Sequence, residues 1–150
     1  MSVRKGRFGL PGWEIGLCLL LMALTGGVLW SRAETVLERA ESVAVATTLM
    51  HIRSGLRLEQ IRRLVAGQDA HGLVGSNPLV LLEAVPEFQQ VPVSGRWHFD
   101  ALSGELRYRP RRQAHLHVQT ADGAVLLAWR ILSSPQGGVE MVVTTPYQWF

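Results

Sequence analysis

Between Leu10 and Ser31 the chain runs for about 22 residues with a single charge, Glu14. At 1.5 Å per residue a helix of that length reaches ~33 Å, enough to cross a hydrocarbon core of ~30 Å. An ionised carboxylate is among the most costly side chains to place there, and one that persists is a functional-site candidate. Arg4, Lys5 and Arg7 precede the run, and a basic flank before an apolar span keeps that end cytoplasmic. Of fifteen basic residues these three come first, which leaves twelve against twelve acidic ones from Leu10 onward. The basic character therefore belongs to the extreme N-terminus and is no argument for nucleic acid. Cys18 is the one cysteine, which excludes an intramolecular disulfide and a cysteine-based zinc site.

Three readings compete for this segment. A cleavable secretory signal would end in a small-x-small site, loosely met by Ser31-Arg32-Ala33, but the run is long for one. A plain signal anchor accounts for the length and leaves Glu14 as an unexplained cost. In the third, cleavage falls before the apolar run. Three glycines offer a cut: after Gly6 the fifth residue is Pro11, after Gly12 it is Leu17, and after Gly9 it is Glu14.

A basic leader ending in glycine, a glutamate at the fifth position after the cut and one long apolar helix resemble the type IV pilin and pseudopilin family. Leu10-Pro11-Gly12-Trp13 stands where that family usually starts with phenylalanine and Thr-Leu-Ile. Pro11 suits a first helical turn, where its missing N–H has no partner to lose. The resemblance implies cleavage between Gly9 and Leu10 by a prepilin peptidase and N-methylation of Leu10. It also implies that Glu14 pairs with the N-terminal amine of a neighbouring subunit. Pairing neutralises two charges that would each be strongly unfavourable alone.

Beyond Trp30, Val36, Leu37, Ala40, Val43, Ala44, Thr47, Met50, Leu58, Ile61 and Val65 recur at threes, fours and their multiples. That spacing predicts one apolar stripe on a continuing helix, facing a globular head, with Glu34, Glu38, Arg39, Glu41, Arg53, Arg57 and Glu59 mainly elsewhere. Gly67 is the expected C-cap, so the helix would run from about Leu10 to Ala66, ~57 residues and ~85 Å. Gly26 and Gly27 interrupt its apolar half at about 1 kcal/mol each against alanine. They fit either close packing of membrane helices or a place where the helix stretches when the subunit leaves the bilayer.

From Gly67 to Gly95 turn residues mark a connecting region. Ser76-Asn77-Pro78 would lead into a short helical patch around Leu79–Glu83, with Leu79, Leu81 and Leu82 filling space between helix and sheet. After Gly95 the period becomes two. "RWHFDALSGELRYR" reads as a hairpin turning at Leu102-Ser103-Gly104, "AHLHVQT" and "AVLLAWRILSS" as a second hairpin around Asp122-Gly123, and "GVEMVVTTPYQWF" as a final strand.

The expected fold is thus α+β and pilin-like, one long N-terminal helix packed on a four- or five-stranded antiparallel sheet. Its parts are a leader over 1–9, a membrane half over 10–31, an amphipathic half over 32–66, a connection over 67–94 and a sheet head over 95–150.

Catalytic chemistry finds little support. His115 and His117 would share one strand face, but zinc needs a third ligand and none is evident nearby, so a solvated face is preferred. His98 has no Ser or Cys nucleophile to serve, and Asp100 reads as a turn residue. Asp69, Asp122 and Glu140 are isolated and make no calcium loop. Arg107, Arg109 and Arg111 alternate along one strand, with Arg112 extending the cluster. They could meet phosphates, though a charged face that discourages edge pairing is the preferred reading. No catalytic residue, cofactor, metal or nucleic-acid partner is expected.

The resemblance implies a minor pilin or type II secretion pseudopilin, held in the bacterial inner membrane with its N-terminus cytoplasmic and its head periplasmic. From there it would enter a pilus or pseudopilus filament. Its partners would be other pilin-like subunits, the prepilin peptidase and an inner-membrane assembly platform with its ATPase. The alternative is a single-pass anchored periplasmic interaction protein that never polymerises.

Overall fold

The computed structural model describes residues 12–82, 93–119, 125–135 and 137–150. The leader with Gly9 and Leu10 lies outside them, as do Pro11, Glu83 and the Asp122-Gly123 turn. By internal contacts the chain divides into two compact units, Met1–Leu37 and Glu38–Phe150. One helix, α1 (Gly12–Val65), begins in the first and ends in the second.

Within the first unit α1 exposes its apolar side chains on every side, among them Trp13, Leu17, Leu20, Leu21, Leu24, Leu29 and Trp30. A helix hydrophobic all round belongs in a core or a membrane. Among the described residues none of this stretch's apolar window is buried, and it is long and apolar enough to cross a bilayer.

In the second unit the buried row of α1 is Val45, Leu49, Ile52 and Leu56, at intervals of four, three and four. None of these belongs to the stripe expected from the sequence. Val36, Leu37, Val43, Met50, Leu58, Ile61 and Val65 are all exposed. Both rows have helical spacing, and periodicity alone cannot say which of two apolar faces meets the sheet. Gly67, with φ of +68°, ends the helix as expected. The Gly67 N–H donates to the Leu64 carbonyl (3.1 Å) and the Gln68 N–H to that of Arg63 (2.8 Å). A residue in the left-handed region closes a helix in this way, and glycine adopts that region without a Cβ penalty.

The connecting segment makes two 3-10 turns, Ala70–Leu73 and Pro78–Leu81, capped by the side chains of Asp69 and Asn77. Leu79 is buried in the core, with Leu81 and Leu82 packed against it. The second turn lies close to α1 because position 55 is glycine: a Cβ there would stand 2.7 Å from the Leu81 carbonyl oxygen.

Strands β1 (Trp97–Asp100), β2 (Glu105–Tyr108), β4 (Leu127–Ser133) and β5 (Val139–Val143) form an antiparallel sheet in the order β1-β2-β4-β5. Registration sets Trp97, Tyr108 and Leu127 in one cross-strand row and Phe99, Leu106, Trp129 and Val143 in the next. Trp97, Leu106, Tyr108, Leu127, Trp129, Ile131, Val139 and Met141 join the core of α1 residues. Trp129 meets Trp97 at 5.6 Å tilted and Tyr147 at 5.8 Å edge-on, geometries that suit the aromatic quadrupole.

The first hairpin has the expected register, but the second does not form. β3 (Leu116–Val118) pairs with β6 (Tyr147–Trp149) as a separate two-stranded ribbon. Both edges of β4 are already taken by β2 and β5. The expected final strand also splits in two. The N–H groups of Thr144 and Thr145 both donate to the Ala128 carbonyl, a bulge-like crowding, and Pro146 has no N–H to continue the ladder.

Candidate functional site

Glu14 occupies the first turn of α1, where a negative charge is favoured by the helix dipole. It is half-buried while Trp13 and Ile15 beside it are exposed. Gly9 and Leu10, where a cut is expected from the sequence, lie outside the described residues. Gly26 and Gly27 sit inside α1 without breaking it, and a Cβ on either would meet nothing within 4 Å. Their own chain therefore gives no packing reason for glycine. Thr25, just before them, donates its hydroxyl to the Leu21 carbonyl at 2.8 Å.

Two glutamates at the start of the second unit, Glu38 and Glu41, lie off the expected apolar stripe and gather the head onto the helix. The buried Glu38 carboxylate accepts from the His115 N–H (2.9 Å), from His115 Nδ1 (2.8 Å) and from the Trp149 indole (3.2 Å). Glu41, one turn on, accepts from the Tyr108 hydroxyl (2.9 Å) and from the N–H groups of Arg111 (2.7 Å) and Arg112 (3.2 Å). Burial opposes ionisation of Glu38, but the hydrogen bonds from His115 and Trp149 outweigh it and hold the carboxyl below its ordinary range. Burial, then the bond to Glu41, pushes the Tyr108 hydroxyl well above its ordinary value. Phe150 completes the clamp: its ring stacks on His115 at 4.9 Å, and the Arg39 guanidinium lies 5.1 Å from its centroid.

His115, the residue before β3, and His117 are both exposed, as a solvated face requires, but the His115 ring also has an acidic partner that comes from α1. No group of three metal-ligating side chains converges among the described residues. Asp100 acts as the expected turn residue, accepting from the Leu102 N–H (3.0 Å) and the Ser103 hydroxyl (2.8 Å). The Ser103 bond, then the Leu102 one, lower its pKa.

The arginines do not form one row. β2 ends at Tyr108, and only Arg107 lies on it, ion-paired with Asp100 (3.0 Å) and Glu105 (2.9 Å), while Arg130 holds the other oxygen of Glu105 (3.0 Å). Arg109 is exposed beyond the strand, bridging Ser94 through its backbone, and the Arg111 side chain packs over Gly95. β2 is an inner strand, so Arg107 guards no edge.

Among the described residues of the second unit, the other face of α1 is left uncovered. Ala40, Val43, Thr47, Met50, Ser54, Leu58, Ile61 and Val65 follow one another at threes and fours, and all are exposed. They lie diametrically opposite the buried row. Most were named from sequence as the core stripe; the spacing was right and the side was wrong. No family model matches the chain, and neither do curated proteins or solved structures.

Proposed function

We propose that this chain is a pilin-like subunit, a minor pilin or type II secretion pseudopilin, that polymerises through its helix. The precursor would sit in the bacterial inner membrane, be cut after Gly9 and be methylated at Leu10. Glu14 would then meet the N-terminal amine of a neighbour, two buried charges each removing the cost of the other. The head would face the periplasm, and the work of the protein would be assembly: storage in the bilayer, processing, then extraction into a filament by a separate motor and platform.

The observation that carries this reading is the bare stripe on α1. An anchored monomer needs one apolar face, to hold its sheet, and Val45, Leu49, Ile52 and Leu56 already provide it. A second row of large apolar side chains, from Val43 at 62 % exposed to Val65 at 83 %, has no use in a monomer. Bundling with neighbouring helices gives it one.

The mass of the mature N-terminus tests the proposal. In cells containing the peptidase the protein is expected to begin at methylated Leu10. An intact Met1 terminus there would assign the chain to the non-polymerising anchors. Glu14→Gln should leave insertion intact and abolish incorporation into filaments, read by shearing and immunoblotting.

A further inference from the structure

Resting on that assembly reading, we infer that the bare face of α1 takes an acidic amphipathic helix of a different chain rather than a second copy of this one. From Ser42 to Val65 the helix carries Arg53, Arg57, Arg62 and Arg63 but a single acid, Glu59. Glu59 is already bound by Arg62 (2.7 Å) and Arg63 (3.1 Å). The earlier acids Glu38 and Glu41 are turned inward onto His115, Trp149, Tyr108 and the 111–112 backbone. Arg53 and Arg57 have no ion-pair partner among the described residues, and both are exposed. At 100° per residue they lie along one side of the Val43, Met50, Ile61 row.

On that side a groove of about 570 Å³ opens beside the stripe, lined by Arg57, Gln60, Ile61, Leu64, Gly137 and Gly138. The Gln60 side chain is fixed by two bonds to the Val139 backbone (2.7 and 3.3 Å). Asp69, also at the groove, uses its Oδ1 on the His71 N–H (2.9 Å). The site therefore offers the apolar side chains of Ile61 and Leu64 and, in Arg57, a guanidinium with no ion-pair partner among the described residues. A carboxylate carried beside an apolar ridge on a partner helix satisfies both. A second copy packed parallel and in register would bring Arg53 to Arg53 and Arg57 to Arg57 and would supply no acidic flank, and like charges across an interface suppress association.

A defined stand-in for such a partner is this chain with Arg53→Glu and Arg57→Glu, which keeps the stripe and supplies the missing acidic flank. Full-length wild type and the reversed copy are mixed in detergent at low salt, and association is followed by energy transfer between labelled chains. Equal thermal midpoints show that both are folded. The mixed pair is expected to bind at least about tenfold more tightly than wild type binds itself. That advantage should vanish at about 1 M salt, where screening acts over ~3 Å. Wild-type self-association as tight as the mixture overturns the inference and leaves the assembly reading standing. A mixture that does not associate overturns it as well. The N-terminal mass, which does not depend on these arginines, then decides whether the assembly reading falls with it. Quenching of a bimane at Met50→Cys, in a Cys18→Ala background, by nitroxide-labelled phosphatidylglycerol vesicles would place the face on lipid and overturn the inference too.

Discussion

Glu38 shows how much a single carboxylate can organise. Its partners lie 77 and 111 residues away, on the residue preceding β3 and on β6, so nothing local in the sequence marks it as buried. A glutamate on an amphipathic helix ordinarily faces water, and the spacing placed Glu38 only off the expected apolar stripe. Glu38→Gln keeps the shape but sets an amide N–H2 against the His115 donors. It should lower unfolding stability by about 1.5–3 kcal/mol, the range for hydrogen bonds to a charged group, measured by urea unfolding in detergent. Because the folded carboxyl titrates below its ordinary range, its contribution is complete above the unfolded glutamate pKa of ~4.3. The contribution is lost as pH falls from there through the depressed folded value. The wild type should therefore lose stability through that acid window, and Glu38→Gln should lose less. Equal acid slopes in the two proteins would count against the clamp.

In α1 the decisive fact is that neighbours in sequence have opposite environments. Leu49 is 4 % exposed and Met50 63 %. Leu49→Ala should cost about 2–5 kcal/mol, and Met50→Ala should stay within ~0.5 kcal/mol in the isolated protein and, on the assembly reading, weaken filament incorporation. If both cost the same, the faces have been misassigned. Gly26 and Gly27 pose the converse case. Alanine at each would meet no obstacle and favour the helix by about 1 kcal/mol, so the Gly26→Ala, Gly27→Ala protein should insert normally. On the assembly reading it should polymerise poorly, because the stretching site is gone or the close helix packing is blocked. Normal filaments from that variant would remove both roles. Local elements were legible: the Asn77 cap, the Gly67 terminus and the β1–β2 hairpin each depend on residues a few positions apart. The pairing of β3 with β6 was not, since it depends on which edges of β4 were already filled.

For the chain as a whole, the division at Leu37 has a direct consequence. The unit Glu38–Phe150 contains the buried row of α1, both sheets and the clamp. A fragment spanning 35–150 should therefore fold without the membrane segment and melt in one cooperative transition, with Trp129 fluorescence shielded until it does. A gradual, probe-dependent melt would show that the head needs the first unit.

The apolar run and the change of period from helix to strand are local patterns, and they were enough for the α+β class and the membrane-length helix. Composition and spacing stop at the question of sides. Two stripes of equal period share α1 between Ala40 and Val65. Which one is covered depends on where the Leu106, Trp129 and Ile131 face of the sheet comes to rest and where Glu38 and Glu41 find their donors. Burial is a property of contacts between distant segments, and no window along the chain contains both partners of such a contact.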